Sequence, residues 1–169
     1  MRLKSIGALS ALLLLSAAAQ GVVAQTKDPA AAETVAWTVE AAPADGAKAA
    51  SALTLTLHAQ VRDGWHVYGL TQLPGGPTPL LVSLEPNAIA AAGGAPVGSP
   101  PVKVHDPSFD LDTQIYSHAF TVALPARVAA RPATGRQVIP VSVRFQTCND
   151  RICQPPKTIH LSAAITIKE

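Results

Sequence analysis

The chain has 169 residues, 48% of them apolar and 14% charged, with two cysteines and a net charge of +2 at neutral pH from 13 Lys and Arg against 11 Asp and Glu. That length suffices for one domain with a substantial core. A nearly balanced charge, no basic stripe and few aromatic residues exclude the electrostatic footprint of a nucleic-acid binder.

The first element predicted is a secretory signal peptide. Arg2 and Lys4 precede an apolar stretch from Ile6 to Ala19, and the small residues Val22, Val23 and Ala24 follow. Cleavage is expected after Ala24, with Ala19 as the alternative. The apolar run, about a dozen residues, is well short of the roughly 20 that a membrane-spanning helix needs, so no membrane insertion is expected. Removal of Arg2 and Lys4 leaves 11 basic against 11 acidic residues, a net charge of about zero. Export also changes what a cysteine pair can do, because an oxidising compartment permits a disulfide that the cytosol would reduce.

Residues 25–33 read as a flexible, alanine-rich lead, and residues 34–169 as a single domain. From Val35 onward the sequence alternates with period two and shows almost no helical periodicity. Strands are predicted over Val35–Ala41, Leu53–Val61, Trp65–Leu70, Leu80–Leu84, Tyr116–Leu124, Val138–Thr147 and Ile159–Ile167. The second is the plainest: Leu53, Leu55, Leu57, Ala59 and Val61 alternate with Thr54, Thr56, His58, Gln60 and Arg62, the signature of a half-buried strand. Most of the 15 prolines and 11 glycines fall between these runs and mark loops. The alanine-rich stretch from Ala88 to Ala95, with its glycines and flanking proline, is read as a loop. About seven short strands separated by turns predict an all-β domain, an antiparallel β-sandwich of immunoglobulin-like type.

Between the last two strands runs Phe145-Gln-Thr-Cys148-Asn-Asp-Arg-Ile-Cys153-Gln-Pro-Pro-Lys157. Cys148 and Cys153 sit where a hairpin must turn, so their thiols can approach bonding distance. One reading is a structural staple, in a non-catalytic immunoglobulin-like binding domain. However, a six-residue ring stabilises by only about 2 kcal/mol on loop-entropy grounds, and a domain of this size has a core of its own. The other reading is a labile, turn-located disulfide open to thiolate attack. The residues alone leave both open.

The cysteine segment resembles the hairpin of the N-terminal periplasmic domain of the thiol:disulfide interchange protein DsbD. The double proline after the second cysteine is its most specific feature. Asp63-Gly-Trp-His-Val-Tyr68 resembles that family's Asp-Gly-aromatic strand, Gly75-Gly-Pro77 a loop of its stand-alone members, and Ile115-Tyr116 the start of its following strand. The resemblance implies an immunoglobulin-like fold, a periplasmic location, and an activity of relaying reducing equivalents from a membrane dithiol electron carrier to periplasmic thioredoxin-like proteins, with no cofactor. It makes Cys148 and Cys153 the redox pair, with Cys153 forming the mixed disulfide and Cys148 resolving it. Two aromatic positions near the pair fall on His66 and Tyr68, which strand parity places on one face, opposite Trp65 and Val67. A cap is expected over Asp106–Thr113 with Phe109, seven residues before Tyr116, as its shielding side chain. The alternative is that Phe109 anchors the loop onto the core. The sequence departs from the family in two ways. Better-known members have one more residue between the cysteines, and their acidic cap residue falls here on Pro107 or Ser108, with Asp106 out of register. No membrane segment or thioredoxin-like domain is seen in the sequence, so the relay partners are expected on separate polypeptides.

Other candidates are weaker. The five histidines, at 58, 66, 105, 118 and 160, lack the paired spacing of zinc sites, and copper on soft sulfur ligands is the only metal worth naming; no metal site is predicted. His58 and His160 lie on the polar phase of their strands and are expected at the surface. Trp37, Trp65 and Tyr116 share phase with apolar neighbours and are expected to pack. No Ser-His-Asp order, catalytic carboxylate pair or phosphate-cradling glycine loop is present, which argues against a hydrolase.

Overall fold

The computed structural model describes residues 33–169; the expected signal peptide, its expected cleavage site and most of the expected lead lie outside the described residues. Among the described residues the regular structure is entirely β. The strands are β1 (Val35–Ala42), β2 (Ala52–Val61), β3 (His66–Tyr68), β4 (Leu81–Leu84), β5 (Ala90–Ala92), β6 (Val97–Gly98), β7 (Val102–Asp106), β8 (Leu111–Tyr116), β9 (Phe120–Val128), β10 (Gly135–Phe145), β11 (Thr147–Cys148) and β12 (Lys157–Ile167). No helix among them is long and apolar enough to cross a membrane.

These strands form three antiparallel sheets. In the first, β1, β2 and β9 run side by side and both β5 and β6 pair with β9. In the second, β10 lies between β12 and β4. Alternate residues of the long strands point inward from both sheets. Leu55 and Leu57 of β2, Val122 and Leu124 of β9, Ile139, Val141 and Val143 of β10, and Ala163 of β12 are all buried in one continuous core. Trp37 stands between the layers, 5.5 Å from the Phe120 ring in the first sheet and 5.4 Å from Phe145 in the second. This is the expected sandwich, with the hydrophobic alternation of each strand deciding which face turns inward.

The third sheet, in the order β11-β3-β8-β7, is smaller and carries the cysteines. Because side chains alternate along a strand, three-residue β3 serves two interiors. Val67 enters the main core, whereas Tyr68 joins Ile115 and Cys148 in a second small cluster against which Val104 and Phe109 pack.

Four sequence expectations need correction, the first being Val138–Thr147, which is not one strand because β10 ends at Phe145 and Thr147 belongs to β11 in the third sheet. The run from Tyr116 to Leu124 is not one strand: Tyr116 ends β8 in the third sheet, and Phe120 opens β9 in the first. The two rings nonetheless stack, 4.1 Å between centroids and 10° from parallel, which preserves an apolar phase across the break and mimics a continuous strand. The Ala88–Ala95 stretch is not all loop, since Ala90–Ala92 forms β5 against Ala126–Val128. Asn87 starts it, its Oδ1 accepting from the backbone N–H of Ile89 and Ala90, and alanine side chains give no periodic signal of the pairing. Finally, the expected loop over Asp106–Thr113 is the tip of a β-hairpin, in which Asp106 pairs with Leu111 and Val104 with Thr113.

Candidate redox site

The chain reaches the site by leaving one sheet for another. After β10 ends at Phe145, β11 turns into the third sheet, with Thr147 opposite Val67 and Cys148 opposite His66. Thr147 is buried, its hydroxyl 3.2 Å from that of Thr34 and donating to Gln154 Oε1 at 3.1 Å. Its carbonyl accepts from Gln154 N–H at 2.9 Å, which fixes both ends of the cysteine loop. Between them Asn149 folds the turn: its Oδ1 accepts from the N–H groups of Arg151 (2.9 Å) and Ile152 (2.8 Å), and its own N–H donates to the Ile152 carbonyl at 3.0 Å. An Asn side chain that replaces backbone partners in this way is the usual means of closing so short a turn. Cys148 and Cys153 are joined in a disulfide.

The two sulfurs have different surroundings. Cys148 is 1% exposed, whereas Cys153 is on the surface, next to Ile152 at 58% exposure. Below Cys148 lies Tyr68, fully buried, whose hydroxyl is 3.0 Å from Cys148 Sγ and 3.9 Å from Cys153 Sγ. The same hydroxyl donates to Asp106 Oδ2 at 2.7 Å. A phenol has one proton, and the carboxylate is the stronger acceptor. Burial, reinforced by the hydrogen bond to Asp106 and by its negative charge, pushes the Tyr68 phenol far above its ordinary range, so it stays protonated and available as a donor.

Asp106 is buried at the end of β7. Its Oδ1 accepts from Ser108 N–H at 2.8 Å, its carbonyl accepts from Phe109 N–H at 3.2 Å, and Asp110 takes a left-handed φ of 52° to close the hairpin tip. That turn sets Phe109 over the site, edge-on to Tyr68 with centroids 6.0 Å apart at 90°. Phe109 packs against the small cluster of Tyr68, Ile115 and Cys148, not against the main core. His66 also stands edge-on to Tyr68, 5.1 Å between centroids at 83°. Desolvation holds its imidazole below the ordinary histidine range, opposed by the charges of Asp106 and Asp150. A cavity of about 260 Å³ opens beside the disulfide, lined among others by His66, Val104, Asp106, Cys148 and Asp150.

The structure thus brings together Cys148, Cys153, His66, Tyr68 and Phe109. It also places Asp106 at the centre, where the sequence comparison set it out of register in favour of Pro107 or Ser108; both of those are exposed on the tip. Asp followed by Pro-Ser locally marks a turn whose first side chain bonds back to the backbone, but not the contact of Asp106 with Tyr68. Elsewhere, His58 and His160 are exposed beside Glu40 and Glu85, and Trp37 and Trp65 are partly buried against the main core.

The family profile described as thiol:disulfide interchange protein DsbD, N-terminal, matches residues 31–164. The chain belongs to this family. Among solved structures, the reduced N-terminal domain of DsbD from Neisseria meningitidis is similar, with a TM-score of 0.50 and 18% identity over 77% of this chain and 85% of that one. At that identity the likeness concerns the fold, which is the immunoglobulin-like fold of DsbD N-terminal domains. A family 123 glycoside hydrolase from Clostridium perfringens overlaps 80% of this chain and 28% of its own at 6% identity, but its TM-score of 0.37 carries no argument. No curated protein matches the chain.

Proposed function

We propose that this DsbD N-terminal-family chain is a periplasmic thiol–disulfide interchange module that passes reducing equivalents from a membrane dithiol carrier to thioredoxin-like partners through Cys148 and Cys153. The observation that carries the reading is the asymmetry of the pair. A partner thiolate meets the exposed Cys153 sulfur and forms the mixed disulfide there. The Cys148–Cys153 bond breaks, and its electron pair leaves on Cys148 Sγ, 3.0 Å from the Tyr68 hydroxyl, whose single proton turns from Asp106 toward the new thiolate. A second partner thiolate then displaces Cys153, which leaves the partner oxidised and this pair reduced. Delivery of electrons onward runs the same steps in reverse, with Cys148 resolving the mixed disulfide. Phe109 over the small cluster acts in this scheme as a cap that restricts attack until a docking partner moves it.

The test combines a potential with a trap. Equilibration with glutathione buffers is expected to give a value clearly above about −300 mV, the region below which structural disulfides lie, with the fold retained on reduction. Cys148→Ser is expected to accumulate mixed disulfides with a thioredoxin-like partner through Cys153. A potential below that region, or cooperative unfolding on reduction, returns the bond to a structural role in a binding domain. More trapping by Cys153→Ser than by Cys148→Ser would reverse the roles of the two sulfurs.

A further inference from the structure

One polar atom of the site has no partner. Nε2 of His66 is buried and makes no hydrogen bond among the described residues, a situation that costs free energy and that folded proteins rarely retain. Its position is also specific. His66 faces Cys148 directly across the β3–β11 pair, a relation that sets β-carbons about 5 Å apart, and the two residues line the same cavity. Cys148 is the sulfur that must leave as a buried thiolate if partners attack Cys153.

On the interchange reading given above, we propose that His66 is a positioning residue for Cys148: it takes up a proton at Nε2 as the thiolate is expelled and holds that negative charge across the cavity. The step balances. The attacking thiolate forms one S–S bond with Cys153, the Cys148–Cys153 bond breaks, its electron pair rests on Cys148 Sγ, and one proton passes from solvent to His66. The reverse step returns that proton.

The surroundings of the imidazole are balanced in a way that suits this role. Burial favours the neutral ring, while Asp106 at the end of β7 and Asp150 in the cysteine turn favour the cation. Tyr68 on the same strand stays neutral, His105 shares the cavity, and Asp63 and His118 line an adjoining groove with His66. A thiolate on Cys148 adds a negative charge to the two carboxylates and tips the balance toward protonation. In the oxidised protein that charge is absent, and burial shifts the balance toward the neutral ring.

The experiment follows reduction of the disulfide by dithiothreitol between pH 5 and 8, with each rate divided by the concentration of dithiothreitol thiolate. In the wild type the normalised rate is expected to rise as pH falls through the His66 titration, on the order of tenfold for a unit charge acting across a partly screened cavity. His66→Phe keeps the edge-on contact with Tyr68 and is expected to give a flat profile; His66→Gln serves if the phenylalanine variant does not fold. Asp150→Asn is expected to move the rise to lower pH. His105 and His118 remain in all of these variants, so a rise that persists without His66 belongs to them and overturns the inference, as does a drop that is equal at every pH. A wild-type disulfide that resists dithiothreitol until the protein unfolds would instead overturn the interchange reading on which the inference rests.

Discussion

The sandwich core and the small redox sheet are built from the same kind of strand but solve different problems. β2, β9, β10 and β12 are nine to eleven residues long and bury alternate aliphatic side chains in a shared interior. β3 and β11 have three and two residues and, with the end of β7, bury a tyrosine hydroxyl within hydrogen-bond distance of both a carboxylate and a sulfur. The main apolar core lies in the first region and the disulfide in the second, and β3 joins them by sending Val67 one way and Tyr68 the other. On the proposed reading, a disulfide placed outside the main core opens and closes while the fold persists.

The largest effect expected of a single substitution tests the core side of this division. Leu55 is fully buried between the sheets, so Leu55→Ala is expected to cost about 2–5 kcal/mol through lost transfer free energy and the cavity left behind. Urea denaturation measures the loss. Under native conditions the same variant is expected to exchange with dithiothreitol at the wild-type rate. A changed rate would mean that the two regions are coupled through β3.

A smaller effect is expected at Tyr68, where the phenol keeps its proton in the fold but ionises near its ordinary pKa of 10.0 once unfolded. A group whose folded pKa is raised contributes stability fully below the unfolded pKa and loses it as pH rises toward the folded one. The wild type is therefore expected to lose stability progressively above pH 10, and Tyr68→Phe is expected to remove the part of that slope due to this residue. At neutral pH the variant is expected to lose about 1–3 kcal/mol, because Asp106 Oδ2 is left without its donor in a buried setting. An unchanged alkaline limb would show that the hydroxyl is not held as the structure has it.

The same division explains what could be read from the sequence. Leu53 to Val61 announces β2 because every second residue faces the core, and the sandwich follows from repeating that pattern. The redox sheet carries no such pattern. β7 exposes Val102, Lys103 and His105 and buries only its last residue, Asp106, so it resembles a loop, and β11 is too short to have a period at all. The cysteines were legible because their spacing and the prolines after them are unusual whatever the fold. Asp106 was not, because its role depends on a turn that brings Oδ2 back toward β3, a contact over 38 residues of sequence that no local pattern encodes.

The smallest effect on stability is expected at Phe109, and it is the sharpest test of the division. Its ring touches Tyr68 and the small cluster, remains partly exposed, and contributes nothing to the main core. The hairpin tip that presents it is held by Asp106 through backbone contacts that the side chain does not share. Phe109→Ala is therefore expected to leave the tip in place and to cost under about 1 kcal/mol, far below the roughly 3–5 kcal/mol of a phenylalanine removed from a packed core. The rate should respond differently. With the ring gone, a small thiol gains a less obstructed approach to the disulfide, and reduction by dithiothreitol is expected to accelerate several-fold. Stopped-flow reduction and thermal unfolding of the same preparation read the two quantities together. A large stability loss with an unchanged rate would place Phe109 among the residues that hold the fold, and the boundary between the two regions would then run outside the hairpin tip instead of beneath it.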